Sequence, residues 1–212
     1  MNRSKRKMVV GVVAASVAAP AFAQFGGLGG MGGGSKGGGD ATDPGKLEAD
    51  LKAVIQSTSL VVSKLADALG MQVTSSKLLK NADDIKSGSI GISDSTSQVS
   101  DLTAEVTAEM EKNQKEGKKL DAASGTKAFE AVKPGIDTIK LWASAAKAAT
   151  KIDKGPMVVA KFGGLIAALP KVPTALKNTG SAMKAGYDYL TFSGVDTKSL
   201  EGPLKDALTA TT

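Results

Sequence analysis

Apolar residues recur every three or four positions along residues 43–191, and no stretch of strand length alternates apolar with polar residues. An α-helix turns once in 3.6 residues, so this spacing places the apolar side chains on one face of each helix. Amphipathic helices joined by short loops pack as antiparallel bundles. The sequence therefore predicts an all-α domain over residues 43–212, folded as an antiparallel bundle of five or six helices.

The helix with the clearest end signals is predicted over residues 43–69. Asp43 is a suitable N-cap, Pro44 fits the first helical position, and Gly70 is placed to end the helix. A second helix is predicted over residues 75–87, and a third starts at a capping box formed by Ser95 and Gln98. Further helices are predicted over residues 121–152, 156–169 and 173–191, and a last short one starts at Pro203.

Two of these helices carry specific expectations. In the helix over residues 75–87, Leu78, Leu79, Ala82 and Ile85 are expected to face inward. In the helix over residues 121–152, Pro134 removes one backbone donor, so we expect a kink or a break near Lys133.

The first 23 residues have the pattern of a cleavable secretory signal. Four basic residues occur within residues 1–7, a dozen apolar residues follow, and Ala21 and Ala23 supply small side chains at the cleavage site. The apolar run would reach only about 18 Å, against the roughly 30 Å of a hydrocarbon core, so an uncleaved anchor is the weaker interpretation. Without an adjacent Arg pair, the signal is of Sec type. We expect cleavage after Ala23 and a periplasmic protein, with secretion as the alternative.

A glycine-rich leader is predicted over residues 24–42. Residues 24–40 include ten glycines, and because glycine loses the most entropy on ordering, we expect a flexible segment. The leader contains G-x-G-x-x-G at Gly27, Gly29 and Gly32, but no strand precedes it, so it does not predict a dinucleotide site.

Charge argues against a nucleic-acid partner. The chain has 27 basic and 21 acidic residues, a net charge of +6 that falls to +2 once the four basic residues of the signal are removed. No arginine follows residue 6, whereas a phosphate-binding surface needs a dense cationic face. The remaining charge is uneven: residues 40–111 carry a net charge of −6 and residues 133–184 carry +7. The acidic and basic helices are expected to be neighbours in one bundle; the alternative is that the basic half faces an anionic partner.

The residue types argue against catalysis. Histidine and cysteine are absent, which removes the usual general base, the thiolate nucleophile and most transition-metal ligand sets. Three Ser/Thr-Lys neighbours (residues 63–64, 76–77 and 150–151) and two acidic pairs (Asp83 with Asp84, Glu109 with Glu111) look like solvated helix surface. We therefore predict no catalytic residue, no cofactor and no metal site.

The most suggestive segment is residues 154–184, where an apolar stretch is flanked by lysines. At fourteen residues, the apolar part (156–169) is too short to span a bilayer. We favour the interpretation that it is the central helix of the bundle, buried on all sides, with Gly163 and Gly164 permitting close helix contact. The alternative is an interfacial helix on anionic lipid, and the sequence leaves open whether the segment is core or membrane-facing. The candidate lipid or partner contacts are Lys154, Lys161, Phe162, Lys171, Lys177 and Lys184.

The function predicted from sequence is therefore that of a non-enzymatic periplasmic protein, acting by binding or as a structural component of the envelope. The alternative is a membrane- or lipid-associating protein that uses the basic, apolar C-terminal half. The partner would be a protein or a lipid of the cell envelope, and no pattern fixes the oligomeric state.

Overall fold

The structure is a computed structural model, and it describes residues 42–210. Over these residues the chain is helical, with short connections and no strand, which confirms the all-α prediction. The elements are α1 (Pro44–Ala68), α2 (Gln72–Ser87), α3 (Ile92–Lys115), α4 (Ala122–Ala149), α5 (Pro156–Ala168), a 3-10 turn (Leu169–Lys171), α6 (Val172–Phe192) and α7 (Lys198–Thr209). The predicted signal peptide, residues 1–23, and all of the predicted leader except Thr42 lie outside the described residues.

The ends of α1 form as the sequence predicts. The Asp43 side chain accepts a hydrogen bond from the Gly45 N–H at 2.8 Å, and Pro44 occupies the first turn. After α1, Gly70 has a φ of +76°, a left-handed conformation that is strained for residues with a side chain. The chain can therefore reverse at once and begin α2.

Backbone and side-chain contacts fix the helix directions. The Thr42 N–H donates to the Lys151 carbonyl, so the start of α1 lies beside the chain that follows α4. At the other end, the Leu120 N–H donates to Ser193 Oγ, which joins the start of α4 to the end of α6. Helices α1, α3 and α6 therefore run in one direction, and α2 and α4 run in the other.

The core lies between α1, α3, α4 and α6, with α2 packed outside against α1 and α3 and with α7 against α4 and α6. Its largest fully buried side chain is Trp142, whose Nε1 donates to Thr58 Oγ1 at 2.9 Å. Among the described residues, no buried side-chain nitrogen or oxygen lacks a partner. Both hydrophobic packing and satisfied polar groups therefore define the core.

The capping box predicted at Ser95 and Gln98 is wrong, because α3 begins at Ile92 and Ser95 lies inside the helix. Ser95 is fully buried, and its hydroxyl donates to Asn81 Oδ1 at 2.8 Å. Asn81 Nδ2 donates in turn to Ser59 Oγ, so this polar cluster joins α1, α2 and α3. The polar start of α3 can be helical because the hydroxyls of Ser95 and Thr96 are satisfied inside the bundle.

Two smaller expectations also fail, and the break predicted near Lys133 is absent. Leu79 points outward and is 46% exposed, because α2 has the rest of the bundle on one side only. No residue of α4 leaves helical geometry at Pro134, and the carbonyl that loses its donor belongs to the exposed Glu130. The last helix begins at Lys198, with Pro203 inside it.

Candidate binding surface

The most exposed large apolar side chain in the described part of the chain is Met157, in the first half of α5. We call residues 156–161 the α5 tip. Met157 is 87% exposed and Val159 is 44% exposed, and Pro156 and Ala160 are exposed beside them. No residue of the tip belongs to the hydrophobic core or packs against it. The tip thus presents apolar side chains that the fold does not use.

This finding corrects the expectation that residues 156–169 form a central helix buried on all sides. Within α5 only Leu165 and Ala168 are buried. The core is already filled by the apolar faces of α1, α3, α4 and α6, and α5 contacts only α1, α3 and the 3-10 turn closely. The high apolar content of α5 therefore does not correspond to burial.

The second half of α5 is attached to the bundle, and we call residues 163–171 the α5 base. Leu165, Ala168 and Leu169 are buried there. The backbone leaves helical geometry at Phe162, where φ is −121° and ψ is 33°, so the break separates the tip from the base. Lys171 Nζ donates to the Ser93 carbonyl at 3.1 Å, which ties the base to the start of α3.

The lysines around α5 fall into two groups. Lys154 and Lys161 are exposed at either side of the tip, and neither forms an ion pair with a described residue. The Lys161 Nζ lies 5.3 Å from the centre of the Phe162 ring, a cation-π contact. Three predicted contacts from residues 154–184 (Lys154, Lys161 and Phe162) therefore gather at or beside the tip.

The other three predicted contacts lie elsewhere. Lys171 is half-buried and held by the Ser93 carbonyl, while Lys177 is exposed on α6. Lys184 lies further along α6, where its Nζ is 2.6 Å from a carboxylate oxygen of Asp188. The structure does not bring these lysines into the tip.

Met157 and Val159 were missing from the residues predicted to make contacts. Helical spacing cannot identify them, because apolar residues surround α5 on every side. The sequence does contain a local signal. Gly155 and Pro156 mark the start of α5, and Lys154 and Lys161 enclose the short apolar run between them. Lysine on both sides of a short apolar run is typical of an interfacial segment rather than of core.

Among the described residues, α5, the 3-10 turn and α6 follow one another without a loop from Pro156 to Phe192. Together they are long and apolar enough by composition to cross a membrane. The most apolar 18-residue window of this stretch has a mean hydropathy of 1.2, and only 22% of that window is buried. The second part of the stretch is α6, which buries Val172, Met183 and Leu190 in the core. A crossing by the whole stretch would therefore require the bundle to open, and the exposed apolar character belongs to α5.

The candidate catalytic pairs are dispersed. Ser63, expected on a solvated face, is buried, and its hydroxyl donates to the Leu60 carbonyl at 2.8 Å. The Thr150 hydroxyl likewise donates to the Lys147 carbonyl, and Glu109 pairs with Lys112. Among the described residues, no three acidic side chains are grouped so that they could hold a metal ion.

A concave surface lies between α6 and α7. It has a volume of about 510 Å³ and is lined mainly by apolar atoms, with Lys184, Asp188, Glu201 and Lys205 around them. Two lysines and two carboxylates leave its rim without a net charge. The groove therefore lacks the charge preference that Lys154 and Lys161 give the α5 tip.

No family model, curated protein or solved structure matches the chain.

Proposed function

We propose that the processed protein is a non-enzymatic component of the cell envelope that acts by binding, with the α5 tip as its contact surface. The observation that supports this proposal is the exposure of Met157 and Val159 on a segment that contributes nothing to the core. Neighbouring apolar side chains that are exposed together on a segment outside the core are typical of a contact surface, unlike single exposed apolar residues. Burial of Met157 alone would contribute about 1.5–3 kcal/mol, tenfold or more in affinity.

The bundle provides a rigid support for such a surface. The α5 base is held by buried Leu165 and Leu169 and by the bond from Lys171 to the Ser93 carbonyl. The tip begins at a turn in which the Asp153 carboxylate accepts the Gly155 N–H at 3.0 Å. A contact element fixed at both ends loses little conformational entropy when it binds.

The residue types of the chain support a binding role rather than a chemical one. Neither histidine nor cysteine occurs, and the hydroxyls of Ser63 and Thr150 donate to backbone carbonyls within their own helices. Because residues 1–23 have the pattern of a secretory signal, we place the proposed role in the periplasm, with secretion as the alternative.

Cell fractionation tests the binding proposal. In cells that express the precursor, the Met157→Ser and Val159→Ser double variant should leave the washed envelope fraction at least tenfold more readily than the wild type. The matched control is Val73→Ser with Leu79→Ser on α2, where the two apolar residues are 70% and 46% exposed. Equal retention of all three proteins, or equal loss from both variants, would reject the tip as the contact surface.

Mass spectrometry of the recovered protein tests the localisation. The expected mature protein begins at Gln24. A recovered chain that retains Met1 after export would contradict the cleavable signal, and a chain found only in the cytoplasm would contradict the envelope role itself.

A further inference from the structure

We infer that the partner of the α5 tip is an anionic lipid surface, into which Met157 and Val159 insert while Lys154 and Lys161 contact the headgroups. This inference rests on the proposed binding function and names its partner. Two properties of the tip carry it: its charge and its size.

Charge complementarity favours an anionic partner. Residues 154–184 contain five lysines and no acidic residue. Lys154, just before the tip, and Lys161, its last residue, enclose the apolar side chains. In such an arrangement long basic side chains reach headgroups while the apolar residues enter the acyl boundary.

Carboxylates also lie at this end of the bundle, all of them outside residues 154–184. Asp43 and Asp153 each accept a backbone N–H of their own turn. Asp94 lies in the first turn of α3, where its charge complements the helix dipole. These positions leave the tip itself without an acidic residue.

The size of the tip argues against a second copy of this chain. A standard protein interface takes about 800 Å² from each partner. The tip exposes four apolar side chains, none of them aromatic, whereas a single aromatic side chain can bury about 150–250 Å². A surface of this size is insufficient for a stable dimer, but a bilayer can accommodate it without a complementary shape.

Only the tip is assigned to the lipid, not the whole of residues 154–184. Lys171 is held against the bundle, and Lys184 pairs with Asp188. The inserted length, residues 156–161, matches an interfacial contact that reaches about 5–10 Å into the headgroup and acyl boundary.

Vesicle co-sedimentation of the processed protein tests the inference. We expect binding to vesicles that mix phosphatidylglycerol with phosphatidylcholine, and about 25-fold weaker binding to phosphatidylcholine alone, since each lysine near an anionic surface contributes roughly a factor of five. Lys154→Gln with Lys161→Gln should reduce binding to the anionic vesicles to the neutral level. Binding should also weaken as salt is raised.

The matched charge control is Lys77→Gln with Lys115→Gln. Both lysines are exposed, and they lie near the start of α2 and the end of α3, at the opposite end of the bundle from α5. This variant removes the same charge and should change vesicle binding by less than about twofold. A loss equal to that of the tip variant would show that net charge alone drives the binding, which would overturn the assignment.

Insertion can be measured through an introduced indole. Trp142 is fully buried and bonded to Thr58, so its emission reports on the fold rather than on lipid contact. In Met157→Trp, acyl-brominated anionic lipids should quench the added emission and leave the Trp142 component unchanged. An absence of quenching despite co-sedimentation would contradict insertion of the tip.

The outcomes separate this inference from the proposed function. If the tip double variant loses envelope retention while the wild type binds no anionic vesicles, the lipid inference is wrong and the binding function stands with a protein partner. A tip-dependent dimer in sedimentation velocity, without vesicle binding, would assign the surface to a second copy. If the tip variants behave as the wild type in both assays, both proposals fail.

Discussion

Helix α4 and helix α5 combine proline and glycine with alanine and larger apolar residues, yet they have opposite surroundings. An added Cβ at Gly135 of α4 would lie 2.0 Å from Met183 Sδ on α6 and 3.0 Å from Val61 Cγ1 on α1. An added Cβ at Gly163 or Gly164 of α5 would have no neighbour within 4 Å. Gly135 permits close packing of α4 against α1 and α6, whereas Gly163 and Gly164 of α5 face open space.

This difference shows that apolar composition alone does not identify the core. Helix α4 has partners on two sides, α1 and α6, and its apolar face is completed by them. The α5 tip has no such partner, so its apolar side chains contribute little to the free energy of unfolding. Substitutions in the two helices should therefore affect different properties, stability in α4 and binding in the α5 tip.

The largest difference is expected between Trp142→Ala and Met157→Ala. Trp142 is fully buried, so its truncation should lower the free energy of unfolding by about 3–5 kcal/mol. Met157 is 87% exposed, and its truncation should change stability by less than about 0.5 kcal/mol. Urea denaturation followed by circular dichroism measures both. A comparable loss in both variants would place the tip in the core and end the comparison.

A smaller effect of opposite sign is expected at the glycines. Gly135→Val should lower stability by about 1–3 kcal/mol, because the new side chain must displace Met183 inside a packed core. Gly164→Ala should raise it by up to about 1 kcal/mol, since alanine favours the helix and has room. The same denaturation experiment applies. Destabilisation by Gly164→Ala would indicate a packed surface against α5.

The helices themselves were predictable because their signals are local. Asp43 and Gly70 act within a few residues, and the stripe of Val99, Leu102, Val106 and Met110 is buried as its spacing predicts. Each of these signals depends on one helix alone, so no knowledge of the neighbouring helices was needed.

The position of α5 was not predictable, because burial depends on which partners remain available. Spacing shows which residues share a face but does not show that α1, α3, α4 and α6 complete the core without α5. Likewise, Gly135 and Gly163 look alike in sequence, and only the neighbouring helix distinguishes them. Of the six candidate contacts, Lys154, Lys161 and Phe162 therefore lie at or beside the tip, whereas the exposed Met157 was not among them.

The next prediction concerns the hydrogen bond that attaches the α5 base to α3, whose loss should lower the local stability of α5 by about 1 kcal/mol. Lys171→Met removes the hydrogen bond from the ammonium to the Ser93 carbonyl and retains the aliphatic part of the side chain. In this variant we expect amide hydrogen exchange in α5 to be faster than in the wild type, with little change in α4 or in the other helices. Lys177→Met, at an exposed site of α6, is the control. Unchanged exchange in α5 would show that apolar contacts alone hold the base.

The smallest effect is expected at the surface ion pair that joins α1 to α4. Hydrogen bonds from Lys127 and Gln72 lower the pKa of the Asp67 carboxyl, and Lys127 Nζ lies 2.8 Å from Asp67 Oδ2. Because both side chains are solvated, water and salt screen the pair, and its contribution to stability should be small. A carboxyl with a lowered pKa in the folded state stabilises the protein above its unfolded pKa of about 3.9, and this stability is lost as the pH falls through the folded pKa. Asp67→Asn should therefore be slightly less stable than the wild type at neutral pH, and the two should converge in acid. A difference that persists in acid would indicate that packing of Asp67, rather than its charge, couples the two helices.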